Sequence, residues 1–448
     1  MRNLSFWLCL LLTCACTGTP VSGEQAARED LERVRRSYET AALPPLTPDS
    51  SLEDYLRVAV FNSPRIRAAY HDWARRVAEI TVARSLPDPR LTFEADITRM
   101  LEGLMFGLMV DLPGPGKLAA AGEAAVQESR TSYHAFEREI LSVAVAVKSA
   151  YYRMHFLDES LRLQRATVDL LGDLEQIAQS QNAAGRVTLQ DVLRAQIEKD
   201  QVLTQIENLE DSRIALVAEL KAALGRNVGD PDPPVPAAFQ PSPEAGPPDE
   251  VLRRALALDP ALRAMQADVQ RAEAMVQLAQ KASVPDFSVG LEADVKASPV
   301  MLTPSIGMTL PVWRDKIEAG IAAAQADKQA AGARLDAQRI AVAAELAMTL
   351  YGYRASLRDI DLLANRLVPK ARQSLAAARP AYATGRASFL DVIDAQRQLL
   401  AFESGLIDAH TRRELALAAI SAAAVRFPSS APVLAPASPP TTNTETSR

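Results

Sequence analysis

The sequence predicts a mainly α-helical protein with a small β part, in which one plan of a β-hairpin and a very long α-helical hairpin occurs twice. Three observations carry this prediction. The phrase GRVTLQDVLRAQ from Gly185 returns as GRASFLDVIDAQ from Gly385, at an offset of 200 residues. Only 5% of the 448 residues are aromatic and only 19 are Gly, while long stretches consist of Ala, Leu, Glu, Gln and Arg, the composition of long helices and coiled coils. Four short segments depart from that composition and have strand character, and those from Arg90 and from Phe287 alternate between apolar and polar residues as half-buried strands do.

In chain order, Arg2 precedes an apolar run from Leu4 to Leu12 and then small residues, a secretory signal too short to span a bilayer as a helix. Ala15 followed by Cys16 matches a lipoprotein cleavage site, so residues 1–16 are read as a lipoprotein-type signal with Cys16 acylated; Cys14, preceded by Thr13, fits less well, and an ordinary signal peptide is the alternative. Residues 17–50 form a polar extension with a short helix from Arg28 to Thr40. The first repeat, 51–226, opens with a helix from Ser51 to Phe61, breaks at Asn62 to Pro64, and resumes to Arg84. The second repeat, 249–427, copies this with a helix from Val251 to Leu258, a break at Asp259 and Pro260, and a helix to Lys281. Between the repeats, 227–248 is Pro-rich with no apolar period, and 428–448 is a Pro, Ser and Thr tail expected to be disordered.

The alternating segments follow in pairs. Arg90 to Thr98 places Leu91, Phe93, Ala95 and Ile97 opposite Thr92, Glu94, Asp96 and Thr98, and its copy is Phe287 to Lys296. Their partners are Met105 to Leu112 and Thr303 to Leu310, closed by Leu112–Pro113 and Leu310–Pro311. Each repeat then enters a long helix, Lys117 to Asn182 and Asp315 to Thr384, about 100 Å each at about 1.5 Å per residue. Phe136, Ile140, Val143, Val147, Ala150, Met154, Leu157 and Leu161 step alternately by 4 and 3, a 3.5-residue period that packs as a left-handed coiled coil. Returning helices end near Leu224 and Ala424.

Several functions are excluded by composition and motif. The 49 basic and 55 acidic residues are intermixed at a net charge of −6, so no basic field for nucleic acid exists. Cys9, Cys14 and Cys16 are the only cysteines, which leaves the body without a disulfide framework or a thiolate metal site. His71, His134, His155 and His410 lie at no ligand spacing, and the chain has no phosphate-binding glycine loop, nucleophile elbow or dinucleotide fingerprint. No enzyme, cofactor or resident metal is expected, and energy for any transport must come from a partner.

The four strands, apolar on one face and polar on the other, have the length and pattern of a transmembrane barrel as well as of an ordinary half-buried sheet. Four strands cannot enclose a lumen, and open edges are not tolerated in lipid. Membrane strands would therefore require several chains to pool them, eight strands from a dimer or twelve from a trimer.

The duplicated plan, with the tip phrase G-x-x-[ST]-x-x-D-V at Gly185 and Gly385, resembles the TolC-like outer-membrane efflux proteins over residues 51–427. The segments DLPGPGKLAAAGEAA and LPVWRDKIEAGI resemble the heavy-metal branch. The resemblance implies a homotrimer with a twelve-stranded barrel in outer-membrane lipid and a helical tunnel in the periplasm. It also implies a periplasmic adaptor and a proton-driven inner-membrane pump as partners, with heavy-metal cations as substrate. Drug efflux and type I protein secretion remain alternatives within the family. A periplasmic adaptor or structural coiled-coil protein is the alternative of another class, though neither calls for two long hairpins with four strands.

At the tips, Thr188-x-x-Asp191 and Ser388-x-x-Asp391 fit the helix capping box. Asp394 lies one turn beyond Asp391, where the other copy has Arg194. The family's periplasmic constriction uses carboxylates matching Asp391 and Asp394, which makes Asp391, Asp394, Arg194 and Asp191 the candidate gate. An arginine of the best-known member is absent here at the matching Ala387, although Arg386 adjoins it. Gly185 and Gly385 supply left-handed turns, and Arg186, Val187, Leu189, Arg386 and Phe389 are expected at the tip for adaptor docking; inter-hairpin packing is the other role open to Leu189 and Phe389. Met100, Met105, Met109, Met301 and Met308 cluster at the strands, with Met105 and Met109 turned inward and Met308 on the apolar face, either as contacts for soft cations or as packing.

Overall fold

The computed structural model describes residues 20–97, 101–227, 229–235, 241–294 and 299–424. The candidate lipidation residue Cys16, Met100 and the C-terminal tail lie outside these residues. The first half contains α1 (Glu24–Thr40), α2 (Leu52–Asn62), α3 (Pro64–Arg84), β1 (Arg90–Ile97), β2 (Leu101–Leu112), α4 (Lys117–Ala183) and α5 (Leu189–Ala223). The second contains α6 (Pro248–Leu258), α7 (Pro260–Gln280), β3 (Phe287–Asp294), β4 (Met301–Met308), α8 (Arg314–Leu362), α9 (Val368–Ala383) and α10 (Phe389–Ala423).

Local chemistry sets the boundaries. Ser51 and Asp54 form a reciprocal capping box that starts α2. Proline at the first helical position starts α3 and α7, where its missing N–H costs nothing. Asp259 reinforces the second of these by accepting from the amides of Ala261 and Leu262 at 2.8 and 3.0 Å. The 67 residues of α4 are unbroken, and all eight residues of its 3.5-residue stripe are buried. The second long helix is not the uninterrupted span expected. A π-helical turn at Leu363–Leu367 separates α8 from α9. Pro369, which cannot donate to the carbonyl four residues before it, lies just beyond that turn.

The four strands form one antiparallel sheet in the order β1-β2-β3-β4. The register aligns Leu91 with Leu108 and Leu291, Phe93 with Phe106, and Val289 with Val110 and Ile306. One face is therefore continuous apolar surface, and it is open: Leu91 is 77% and Ile306 82% exposed. The other face carries Thr92, Gly107, Glu292 and Thr303 in one row and Glu94, Met105, Asp294 and Met301 in the next. Met105, Met109 and Met301 thus lie on the polar face, whereas Met308, opposite Phe287, lies on the apolar one. Gly107 has a close-approach role, since a methyl there would come within 2.3 Å of Thr92 Oγ1. Strand β2 begins four residues before its expected start, because the pairing with β1 continues through Leu104.

Beneath the sheet, Asp286 joins the halves, accepting from Gly114 N and Lys117 Nζ, both at 2.7 Å. The largest core surrounds Trp73, stacked on Phe136 at 5.8 Å, together with Tyr55, Tyr151 and Tyr152. The Pro-rich connection is strapped across this body. Tyr55 Oη donates to Pro234 O at 2.6 Å, the hydroxyls of Tyr152 and Ser242 are 2.7 Å apart, and Ser242 N donates to buried Glu414 at 3.0 Å. The N-terminal helix is held by Glu24, only 3% exposed, which pairs with Arg84 at 2.6 Å and Arg28 at 2.8 Å. Among the described residues, no helix is long and apolar enough to cross a membrane.

Candidate functional site

The two repeated phrases fold into adjacent turns. Gly185 and Gly385 adopt φ of 70° and 72°, a region that costs a residue with a Cβ roughly 1–2 kcal/mol. Each turn closes with the same pair of backbone bonds: Gly185 N to Asn182 O and Arg186 N to Gln181 O, then Gly385 N to Tyr382 O and Arg386 N to Ala381 O. These satisfy the carbonyls left free at the helix ends. The tips are tied together by Gln181, whose side-chain amide donates to the carbonyls of Tyr382 and Ala383 at 3.1 and 3.2 Å.

An apolar cluster underlies the tie. Leu171, Leu174, Ala178, Val192 and Ala195 of the first hairpin pack on Leu375, Tyr382, Phe389, Val392 and Ile393 of the second. Phe389 is consequently not an exposed docking residue: it is 2% exposed and lies edge-on to Tyr382 with centroids 5.3 Å apart. The neighbouring hairpin supplies its cover, which local sequence does not reveal. Burial also pushes the Tyr382 phenol up to about 12. Leu189, at 60% exposed, does stand out from the tip, and in the second copy Leu390 rather than Phe389 is exposed. Val187 is half-buried against the cluster.

The capping pair is asymmetric. Ser388 and Asp391 complete their box, with Ser388 N to Asp391 Oδ2 at 2.9 Å, and these hydrogen bonds hold the Asp391 carboxyl below its usual range. Thr188 makes no side-chain cap. Asp191 instead faces Arg194 at 3.8 Å, a partner absent from the second copy, where Asp394 takes that position. Ser388→Ala should therefore cost about 1 kcal/mol of local stability, seen as faster hydrogen exchange at the start of α10. Thr188→Ala should leave exchange at the start of α5 unchanged; equal effects at the two sites would contradict the asymmetry.

Between the tips lies a cavity of about 480 Å³ lined by Gln181, Arg186, Asp191, Arg194, Thr384 and Phe389 among others. The structure brings Asp191 and Arg194 onto this groove. It does not pair Arg194 with Asp394 within one chain. One turn farther from the tip, the two hairpins are joined by an ion pair that the sequence reading missed. Arg397 Nε donates to Glu198 Oε2 at 3.0 Å, and the carboxylate raises the Arg397 pKa. The available signal was the contrast of Ile197–Glu198 with Arg397–Gln398 in otherwise matching phrases. Arg379 adds a second tie to Asp173 at 3.3 Å. Among the described residues, no group of three or more His, Cys, Asp or Glu side chains is arranged to hold a metal ion.

The profile of the outer membrane efflux protein family matches residues 56–226 and 251–424, more than half of the chain and both repeats. The chain belongs to the outer membrane efflux protein family. This efflux protein is 26% identical over 365 residues to the cobalt-zinc-cadmium resistance protein CzcC of Cupriavidus metallidurans, covering 78% of this chain and 84% of that one. Its fold matches CusC, described with transmembrane channel formation, at a TM-score of 0.73 and 16% identity, over 86% of this chain and 95% of that one. It also matches the Campylobacter jejuni CmeC outer membrane channel at a TM-score of 0.72 and 15% identity, over 87% and 90% of the respective chains. By family the chain is thus an outer-membrane efflux protein, and it shares its fold, an open four-stranded sheet on long helical hairpins, with these solved channels.

Proposed function

We propose that three copies of this chain assemble into a passive conduit for heavy-metal cations, from periplasm to exterior, as the outer-membrane stage of a tripartite pump. The open sheet carries this reading. Its apolar face is exposed and its edge strands β1 and β4 are unpaired among the described residues, which lipid tolerates only when neighbouring copies continue the sheet into a closed barrel. The polar face, with Glu94, Glu292 and Asp294, then lines the lumen, and such carboxylates favour cations there.

The tips face a periplasmic adaptor, with Arg186, Leu189, Arg386 and Leu390 as contact residues beside the turns at Gly185 and Gly385. A proton-driven inner-membrane pump supplies the energy. Asp391 and Asp394 of the three copies, with Asp191 and Arg194 between them, form the periplasmic constriction. Acylation of Cys16 anchors the N-terminus. Val21, near the first described residues, packs beside Gly122 close to the start of α4.

The cation substrate is supported by the likeness to a cobalt-zinc-cadmium resistance protein. Deleting the gene should lower tolerance to cobalt, zinc or cadmium salts, with plasmid-borne protein restoring it. Unchanged metal tolerance alongside increased drug sensitivity would overturn the cation assignment.

A further inference from the structure

The polar face of the sheet breaks its own pattern in one respect. Over the paired residues 90–94, 105–111, 288–294 and 301–307, it presents Arg, Thr, Ser, Asp and Glu side chains, bare glycines and three methionines. The opposite face draws on Leu, Phe, Val and Ile as well as Met308, yet none of those four residue types crosses to the polar side in these spans. Met105, Met109 and Met301 are its only apolar side chains there. A water-filled barrel interior is otherwise polar, and Met301 is 59% exposed, so packing does not account for it. The register sets these thioethers among carboxylates. Met105 lies directly between Glu94 and Asp294, and Asp294 directly between Met105 and Met301. One row across the sheet therefore reads carboxylate, thioether, carboxylate, thioether. Directly opposed residues have Cβ atoms about 4.5–5.5 Å apart, close enough for neighbouring side chains of this length to share one ion. Nearer the helices, Met109 occupies a second row, its Cε 3.8 Å from the place a Cβ on Gly290 would take, so the glycine gives the thioether room on the wall. Between the rows Glu292 leans over Gly107, with its Cγ 2.9 Å from where a Cβ would stand. Arg90, opposite Met109, is paired with Asp111, which leaves the second row without the net negative charge of the first.

We propose that Met105 and Met301, with Glu94 and Asp294 beside them, form a wall site of the barrel lumen that takes soft cations, and that Met109 is the contact preceding it on the outward route. The proposal rests on the trimeric conduit above and specifies which cations its lumen favours. Carboxylates attract hard dications such as Ca(II) and Mg(II) as well as heavy metals. A thioether is soft and polarizable, and it adds attraction only for soft ions such as Cd(II), Cu(I) or Ag(I). The mixed row therefore prefers soft cations to hard ones of equal charge, which a row of carboxylates alone would not do. It is also an open row and not a cage, in keeping with the finding that no three His, Cys, Asp or Glu side chains among the described residues are arranged to hold a metal ion. Passage requires this, because an ion must leave the wall as readily as it reaches it. Three copies of the chain would repeat the row around the lumen, so that a departing ion meets a second site of the same kind.

The test compares cadmium with calcium, ions of equal charge and closely similar radius that differ chiefly in softness. Single channels of the full-length protein in planar bilayers carry potassium current, and cadmium or calcium nitrate is added from the extracellular side, away from the carboxylates of the tip. Cadmium should bring about half of its maximal fall in conductance at a severalfold lower concentration than calcium. With Met105→Leu, Met109→Leu and Met301→Leu together, a change that conserves side-chain volume, cadmium should need the same concentration as calcium. Asp294→Asn should weaken both ions alike, and Met308→Leu, on the apolar face, should keep the cadmium preference. X-ray absorption at the cadmium edge should find sulfur around the bound ion in the unsubstituted protein and oxygen alone in the triple variant. If the triple variant does not assemble, Met105→Leu by itself should at least halve the preference. The site is refuted if the two ions act at equal concentrations on the unsubstituted channel, if the Met→Leu variants keep the full preference, or if Met308→Leu removes it. A protein that opens no channels at all refutes the trimeric conduit instead, a separate failure.

Discussion

Leu108→Arg should eliminate the assembled protein from the outer membrane. Leu108 sits in β2, directly opposite Leu91 and Leu291, and is 52% exposed on the apolar face of the sheet. An arginine near the bilayer midplane on the lipid side of a barrel costs about 2–4 kcal/mol, and a trimer incurs that cost three times. The sum is comparable to the whole stability of an ordinary domain, about 5–15 kcal/mol. Thr303→Arg is the control, since Thr303 lies on the other face opposite Glu292 and gains a neighbouring carboxylate. Outer-membrane fractions probed for heat-resistant oligomers should lack the Leu108→Arg protein and retain the Thr303→Arg protein. The reverse result would exchange the lipid and lumen faces.

Asp394→Ala should raise single-channel conductance in planar bilayers severalfold and weaken block by polyvalent cations added from the periplasmic side. Asp394 has no ion-pair partner within its own chain among the described residues, while Arg194 is turned toward Asp191. Apart from the charge of Arg397 one turn along, which is itself bound to Glu198, its carboxylate is left to meet the neighbouring copy or the passing ion. The effect should shrink at high salt, because the screening length falls from about 10 Å at 0.1 M to about 3 Å at 1 M. Unchanged conductance at low salt would remove Asp394 from the constriction and leave Asp391 with only its capping role.

The regular periodicities of the chain carried most of the fold. The 4–3 spacing from Phe136 to Leu161 announced a buried stripe, and the alternation from Arg90 and from Phe287 announced strands with one apolar face, because side-chain periods of 3.5 and 2 are set by backbone geometry alone. The tip glycines were legible for the same reason, since a positive φ needs no distant partner. What escaped depends on contacts far apart in sequence or on a competing local bond. Phe389 looks exposed until the neighbouring hairpin covers it. Arg397 and Glu198 are 199 residues apart and pair only because the hairpins lie side by side. Thr188 and Ser388 look equivalent, yet Arg194 draws Asp191 away from the first cap. The π turn was hidden inside a pattern that reads as continuous helix, although Pro369 marks where the hydrogen-bond ladder must open.

The pooling of strands into a shared barrel is the claim on which lumen and gate both depend. Native mass spectrometry of the protein extracted from outer membranes tests it most directly. A dominant species at three times the mass of the mature chain is the predicted result. A single chain recovered from the soluble periplasmic fraction would contradict it.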